Sequence, residues 1–159
     1  MPLVIRNYQD TDAQETAQLF FNSVRNGTGD FYTKEQRAAW APQIPELARW
    51  HTRLEEQITL IAELDQKLVG FMTLKQSGYI DLAFVNPDHI GNGIGRALYE
   101  AVEAKAEELS IERLTTQASL AAKAFFENFG WQVDKEQHLT RQSVTLTNFV
   151  MSKNLHPQN

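Results

Sequence analysis

Asn86-Pro87-Asp88-His89-Ile90-Gly91-Asn92-Gly93-Ile94-Gly95-Arg96 sits between a run rich in apolar residues, Tyr79–Val85, and a long helical pattern. Three glycines at alternate positions let the backbone curl and aim several N–H groups at one point. The helix that follows adds the positive end of its dipole there. Together they predict an anion site, most naturally for phosphate, with Arg96 as an added charge. A plain tight connection between strand and helix is the alternative reading.

Two common phosphate motifs do not fit. The dinucleotide fingerprint G-x-G-x-x-G matches Gly91 and Gly93 but meets Arg96 where its third glycine belongs. The P-loop ending Gly-Lys-Ser/Thr is absent.

Working outward, residues 91–109 read as the strongest helix. Ile94, Ala97, Leu98, Ala101, Val102 and Leu109 share one face, and Glu100, Glu103, Glu107 and Glu108 the other. Upstream, Ile58–Leu64 and Lys67–Leu74 read as strands around an Asp65-Gln66 turn. Leu3–Arg6 reads as a first strand. Helices are expected from about Ala13 to Asn26, over Lys34–Ala41, and from Pro45 to about Glu56. Downstream come a strand at Leu114–Gln117, a helix at Ser119–Asn128, and strands at Trp131–Gln137 and Ser143–Lys153. This order predicts an α/β (α+β) fold: a mixed, mostly antiparallel twisted sheet of about seven strands with helices on both faces. One domain is expected over residues 1–155, with a flexible tail at 156–159.

The chain has 159 residues, 42% hydrophobic and 10% aromatic, enough for a buried core. A net charge of -5 disfavours non-specific nucleic-acid binding, which needs a basic face. The absence of cysteine removes disulfides, thiol nucleophiles and Cys-ligated zinc. The four histidines show no ligand spacing, so no metal is expected. No signal peptide and no membrane span are expected, which predicts a cytoplasmic protein.

Four stretches carry a resemblance to a known family. Phe84-Val85-Asn86-Pro87 with Gly93-Ile94-Gly95-Arg96-Ala97-Leu98 resembles the central motif of the GNAT N-acetyltransferases. Ala122-Lys123-Ala124-Phe125-Phe126-Glu127 with Gly130-Trp131 resembles their late helix and the turn after it. Phe149–Lys153 resembles the last strand of many small bacterial members, and Ile5-Arg6 with Asp12 the family's opening. The resemblance implies acetyl-CoA as cosubstrate and a primary amine, on a small molecule or a peptide, as acceptor. Backbone groups near Phe84 and Val85 would pair with the pantetheine, and the loop of Ile90, Gly91, Asn92, Gly93, Ile94, Gly95 and Arg96 would hold the pyrophosphate. Ser119, Lys123 and Phe126 would line the other side of the arm. A homodimer stays open.

Two family positions differ here. Ile90 stands where Gln or Arg is usual, so backbone donors must hold the phosphates. Phe126 stands where many members place a tyrosine that protonates the leaving thiolate. Asp81 and Tyr79, on one face of a run that alternates Ile80, Leu82 and Phe84 on the other, are the candidate base and acid. A structural carboxylate is the competing reading of Asp81, and plain packing that of Tyr79. Asn26, Asp30 and Tyr32 are candidates for the acceptor site. A CoA-binding module that has lost catalysis is the competing function, favoured by Phe126 and Ile90.

Overall fold

The computed structural model describes residues 2–156. Of the tail expected at 156–159, residues 157–159 lie outside the described residues. Among the described residues, eight strands form two four-stranded sheets. In the first, β1 (Leu3–Asn7), β2 (Ile58–Leu64), β3 (Lys67–Leu74) and β5 (Ala83–Val85) run antiparallel in that order. In the second the order is β4 (Tyr79–Ile80), β6 (Arg113–Ser119), β8 (Val144–Asn154) and β7 (Gln132–Arg141). There β4 pairs with β6 in parallel, and the other pairings are antiparallel.

The single strand expected over Tyr79–Val85 is therefore two, and the expected count of seven becomes eight. The break falls at Asp81-Leu82. Before it, Tyr79 and Ile80 face Thr115 and Thr116 of β6. After it, Ala83, Phe84 and Val85 face Met72, Phe71 and Gly70 of β3. One chain segment thus leaves one sheet and joins the other, and the sheets diverge between β5 and β6. The break also flips the alternation. Ile80 joins Ala83 and Val85 in one core cluster, while Leu82 packs with Phe84 in the other. The expected face shared by Ile80, Leu82 and Phe84 does not exist.

Helices cover both sides. α4 (Ile94–Glu108) packs Ile94, Leu98, Tyr99 and Val102 against residues of both sheets, among them Leu60, Met72, Leu114 and Met151. α1 (Ala13–Gly27) and α3 (Leu47–Glu55) cover the opposite face of the first sheet through Ala17, Trp50 and Leu54. α2 (Lys34–Trp40) sits near β8, with Gln36 Nε2 donating to the Thr145 carbonyl at 3.1 Å. α5 (Lys123–Asn128) buries Phe126 beside Tyr99 and Trp131. A bidentate pair of Arg6 with Asp12, at 2.8 and 2.9 Å, ties β1 to the entry of α1.

The predicted helix at 91–109 starts three residues later, at Ile94. Gly91 and Gly93 hold positive φ of 92° and 80°, so they belong to a turn and not to the helix.

Candidate active site

The divergence of the sheets opens two cavities that meet. The first, about 390 Å³, is floored by Met72, Phe84, Val85 and Phe125 and closed by the Gly-rich loop. The second, about 520 Å³, lies on the α2–α3 side and is lined by Tyr32, Trp50, Arg53, Tyr79 and Asp81, among others. Six residues line both: Trp40, Ala83, Phe84, Ser119, Ala122 and Phe126. Both volumes suit a small ligand.

The loop leaves backbone amides without helical partners at the start of α4. Asn86 caps a short turn by accepting from the Asp88 amide at 2.9 Å, with Pro87 at its first position. The first helical bond runs from Ala97 N to the Gly93 carbonyl. The amides of Ile94, Gly95 and Arg96 precede it, so no carbonyl within the helix receives them. A Cβ added to Gly91 or Gly93 would meet nothing within 4 Å, so the space in front of the loop is open. Gly95 is glycine for another reason, since a Cβ there would lie 3.0 Å from Phe125 Cε1. Ile90 is 65% exposed and offers no polar group. The Arg96 guanidinium lies over the Phe129 ring at 5.0 Å and 3.6 Å from Glu100.

Of the residues expected at the cofactor, Phe84, Val85, Ile90, Gly91, Gly93, Ile94, Gly95, Arg96, Ser119 and Phe126 line the first cavity. Asn92 and Lys123 do not, and the Lys123 ammonium lies instead over the Phe149 ring at 5.0 Å. Ser23, Gly27 and Thr28 at the end of α1 complete the wall. No motif in the sequence marks them.

The three acceptor candidates fall in different places. Asn26 and Asp30 are exposed and line neither cavity. α1 runs on through Gly27, so Asn26 is still helical, and its amide donates to Asn22 one turn back. Tyr32 does line the second cavity, but it is 5% exposed and its hydroxyl is already engaged. That hydroxyl donates to the Thr147 carbonyl at 2.6 Å and accepts from the Leu120 amide at 2.9 Å. Burial pushes the Tyr32 phenol up, only partly offset by the Leu120 amide.

Asp81 is committed as well. Arg53 donates to both its oxygens, at 2.8 and 2.9 Å, and Gln57 Nε2 to one at 3.0 Å. Burial alone would raise its pKa, but the Arg53 and Gln57 hydrogen bonds and the Arg53 charge outweigh that and hold it below the ordinary value. A carboxylate so held is a weak base at neutral pH. The geometry fits the structural reading of Asp81. Tyr79 has its pKa raised, by burial first and by the Asp81 charge second.

Ser119 is different. Its Oγ accepts from the Ala122 amide at 3.1 Å, which leaves its own hydrogen available at the junction of the cavities. Asn148, its partner across β6 and β8, has a sealed Oδ1 with no donor among the described residues.

The family model of the acetyltransferase (GNAT) domain matches residues 29–153. The chain belongs to the GNAT family. This GNAT protein is 34% identical over 147 residues to the uncharacterized N-acetyltransferase YafP of Escherichia coli, covering 92% of this chain and 93% of that one. It is 35% identical, with a TM-score of 0.91, to a GCN5-related N-acetyltransferase from Rhodopseudomonas palustris, covering 98% and 97% of the two chains. A phosphinothricin acetyltransferase from Sinorhizobium meliloti in complex with acetyl-CoA shares the fold, with a TM-score of 0.77 at 16% identity over 98% and 89% of the chains. The mixed fold with flanking helices is that of a GNAT acetyltransferase.

Proposed function

We propose that this GNAT protein transfers the acetyl group of acetyl-CoA to a primary amine by direct attack. The observation that carries the reading is the junction of the two cavities at the split between β5 and β6. The open glycine loop and the apolar floor beneath it fit a CoA pyrophosphate and its arm. Bound there, acetyl-CoA supplies an activated acyl carbon and a thiolate leaving group.

The chain's own residues bring the two partners together. Phe84, Phe126 and Trp40 close the junction with large apolar surfaces that exclude water. Ser119 offers a hydroxyl hydrogen where negative charge would grow on sulfur. A serine proton is too weakly acidic to be given up outright, so this group stabilises the sulfur by hydrogen bonding. Orientation by the two walls supplies most of the remaining rate. The amine must arrive neutral, because neither Asp81 nor Tyr32 is poised to deprotonate it. The proton it sheds as the C–N bond forms and the C–S bond breaks ends on the leaving sulfur, giving the amide and the free thiol.

A second reading rests on the same site. Phe126 has no proton to give and Asp81 is neutralised by Arg53, which would suit a CoA-binding module acting through a partner. Incubation with acetyl-CoA and a panel of amines separates the two. Acetylated product with turnover supports transfer. A thermal shift with CoA but no product from any amine supports the binding module. No shift with CoA at all would remove both.

A further inference from the structure

The second cavity carries an unbalanced charge. Three charged side chains line it: Arg53, Asp81 and Arg141. Arg53 and Asp81 cancel through their bidentate pair. Arg141 has no carboxylate partner among the described residues. The cavity therefore presents one net positive charge to whatever acceptor enters it.

That charge lies at a defined distance from the chemistry. Side chains alternate along β7 and β8, so Arg141, Leu139, Leu146 and Asn148 share the face turned to the cavity. Asn148 pairs with Ser119 at the cavity junction, whereas Arg141 pairs with Val144 at the far end of the hairpin. Val144 and Asn148 are four steps apart along β8, roughly 13 Å of strand. The reach of the Arg141 side chain shortens that span. Leu139 and Leu146 line the path between them.

We propose that the acceptor is a primary amine joined through an apolar spacer to an anionic group, with the anion received by Arg141. The proposal rests on the acetyl-transfer reading for its orientation, with the amine at the Ser119 junction. A cation at the far end of the acceptor meets Arg141 and is disfavoured, which argues against polyamines. An amino acid reacting at its α-amine is too short, because amine and carboxylate then hang from one carbon. Guanidinium and carboxylate form paired, charge-assisted hydrogen bonds, which gives the site its selectivity.

The test compares ε-aminocaproate with its uncharged carboxamide, with cadaverine, and with glycine. In the parent protein, kcat/KM for ε-aminocaproate should exceed that for the carboxamide by about tenfold, the scale of one partly exposed charged hydrogen-bonded pair. Cadaverine and glycine should be poorer still. Added salt should reduce the preference. Arg141→Gln should bring the ratio of acid to carboxamide to about one, and Arg141→Lys should restore part of it. Equal rates for acid and carboxamide in the parent, or faster reaction of cadaverine, would overturn the proposal and leave acetyl transfer standing. If no amine is acetylated, thermal shift in the presence of CoA reads binding directly. An acid-over-carboxamide preference abolished by Arg141→Gln then supports the anion site while the transfer reading fails, and no preference overturns both.

Discussion

Asp81 shows how one residue's role turns on its partners. In sequence it is a lone carboxylate in an apolar run, open to both a catalytic and a structural reading. In the fold, Arg53 comes from α3, on a different part of the chain, and claims both oxygens. Its pKa is lowered in the folded state, so its stabilisation is present above the unfolded pKa and is lost as pH falls through the folded one. Asp81→Asn should lower stability by about 1 kcal/mol at neutral pH, since Arg53 is partly exposed. Melting curves at several pH values should show that difference shrinking in acid. Turnover of the folded variant should stay near the parent's. A fall of about 100-fold with unaltered melting would make Asp81 the base after all.

Phe126 is the other residue on which the chemistry turns. It is 2% exposed and packed against Trp131 and Phe125, yet it lines both cavities. Phe126→Tyr adds a phenol at the junction, where a proton can reach the leaving sulfur. The expected kcat is unchanged or higher. A large loss, measured alongside an unchanged melting temperature, would show that the ring itself positions the cosubstrate.

At the scale of elements, the proposed anion site rests on the Gly-rich turn before α4. Gly93 is the cap of that helix, at φ 80°, with open space before it. Gly93→Glu fills that space, brings a negative charge to the dipole's positive end and strains the backbone. The variant should remain folded and lose the CoA thermal shift, worth about 2.7 kcal/mol at ~100 times the dissociation constant. A variant still stabilised by CoA as the parent is would reduce the loop to a connector.

The same scale explains what was legible beforehand. β2 and β3 fall at their expected bounds because two apolar runs flank Asp65-Gln66, both at positive φ in a tight turn. The apolar pattern of Tyr79–Val85 continues across Asp81 as in a single strand, and only its two different pairing partners reveal the break. The loop was readable because it is contiguous. Arg53, Arg141 and Asn148 were not, since they reach one cavity from α3, β7 and β8. Arg141 lies beyond the strand expected at Trp131–Gln137, and only the observed extension of β7 to Arg141 and its register with β8 put it on one face with Asn148. Asn26 and Asp30 are polar and exposed, and polarity in a surface segment does not tell which residues line a cavity.

At the scale of the whole molecule, Tyr32 joins the two halves. Its buried hydroxyl links the segment between α1 and α2 to β8 and to the turn before α5. Tyr32→Phe leaves the Thr147 carbonyl and the Leu120 amide without that partner. The loss should be about 1–3 kcal/mol, or roughly 2–10 °C in Tm for a chain of this size. Calorimetry checks it. An unchanged Tm would mean that water replaces the hydroxyl and that the halves are held elsewhere.

The two faces of the split sheet are not equivalent. On the α4 side, apolar side chains from both sheets interlock in one cluster. On the other side, the cluster under α1 and α3 draws on the first sheet and its strand β5, and polar links from Tyr32 and Gln36 reach across to β8. The molecule is therefore built like a book with its spine along α4. Its spine is fastened by interlocked apolar side chains and its fore-edge by two polar clasps, at Tyr32 and at Gln36, so the cavities lie where the binding of the two sheets depends on directed hydrogen bonds.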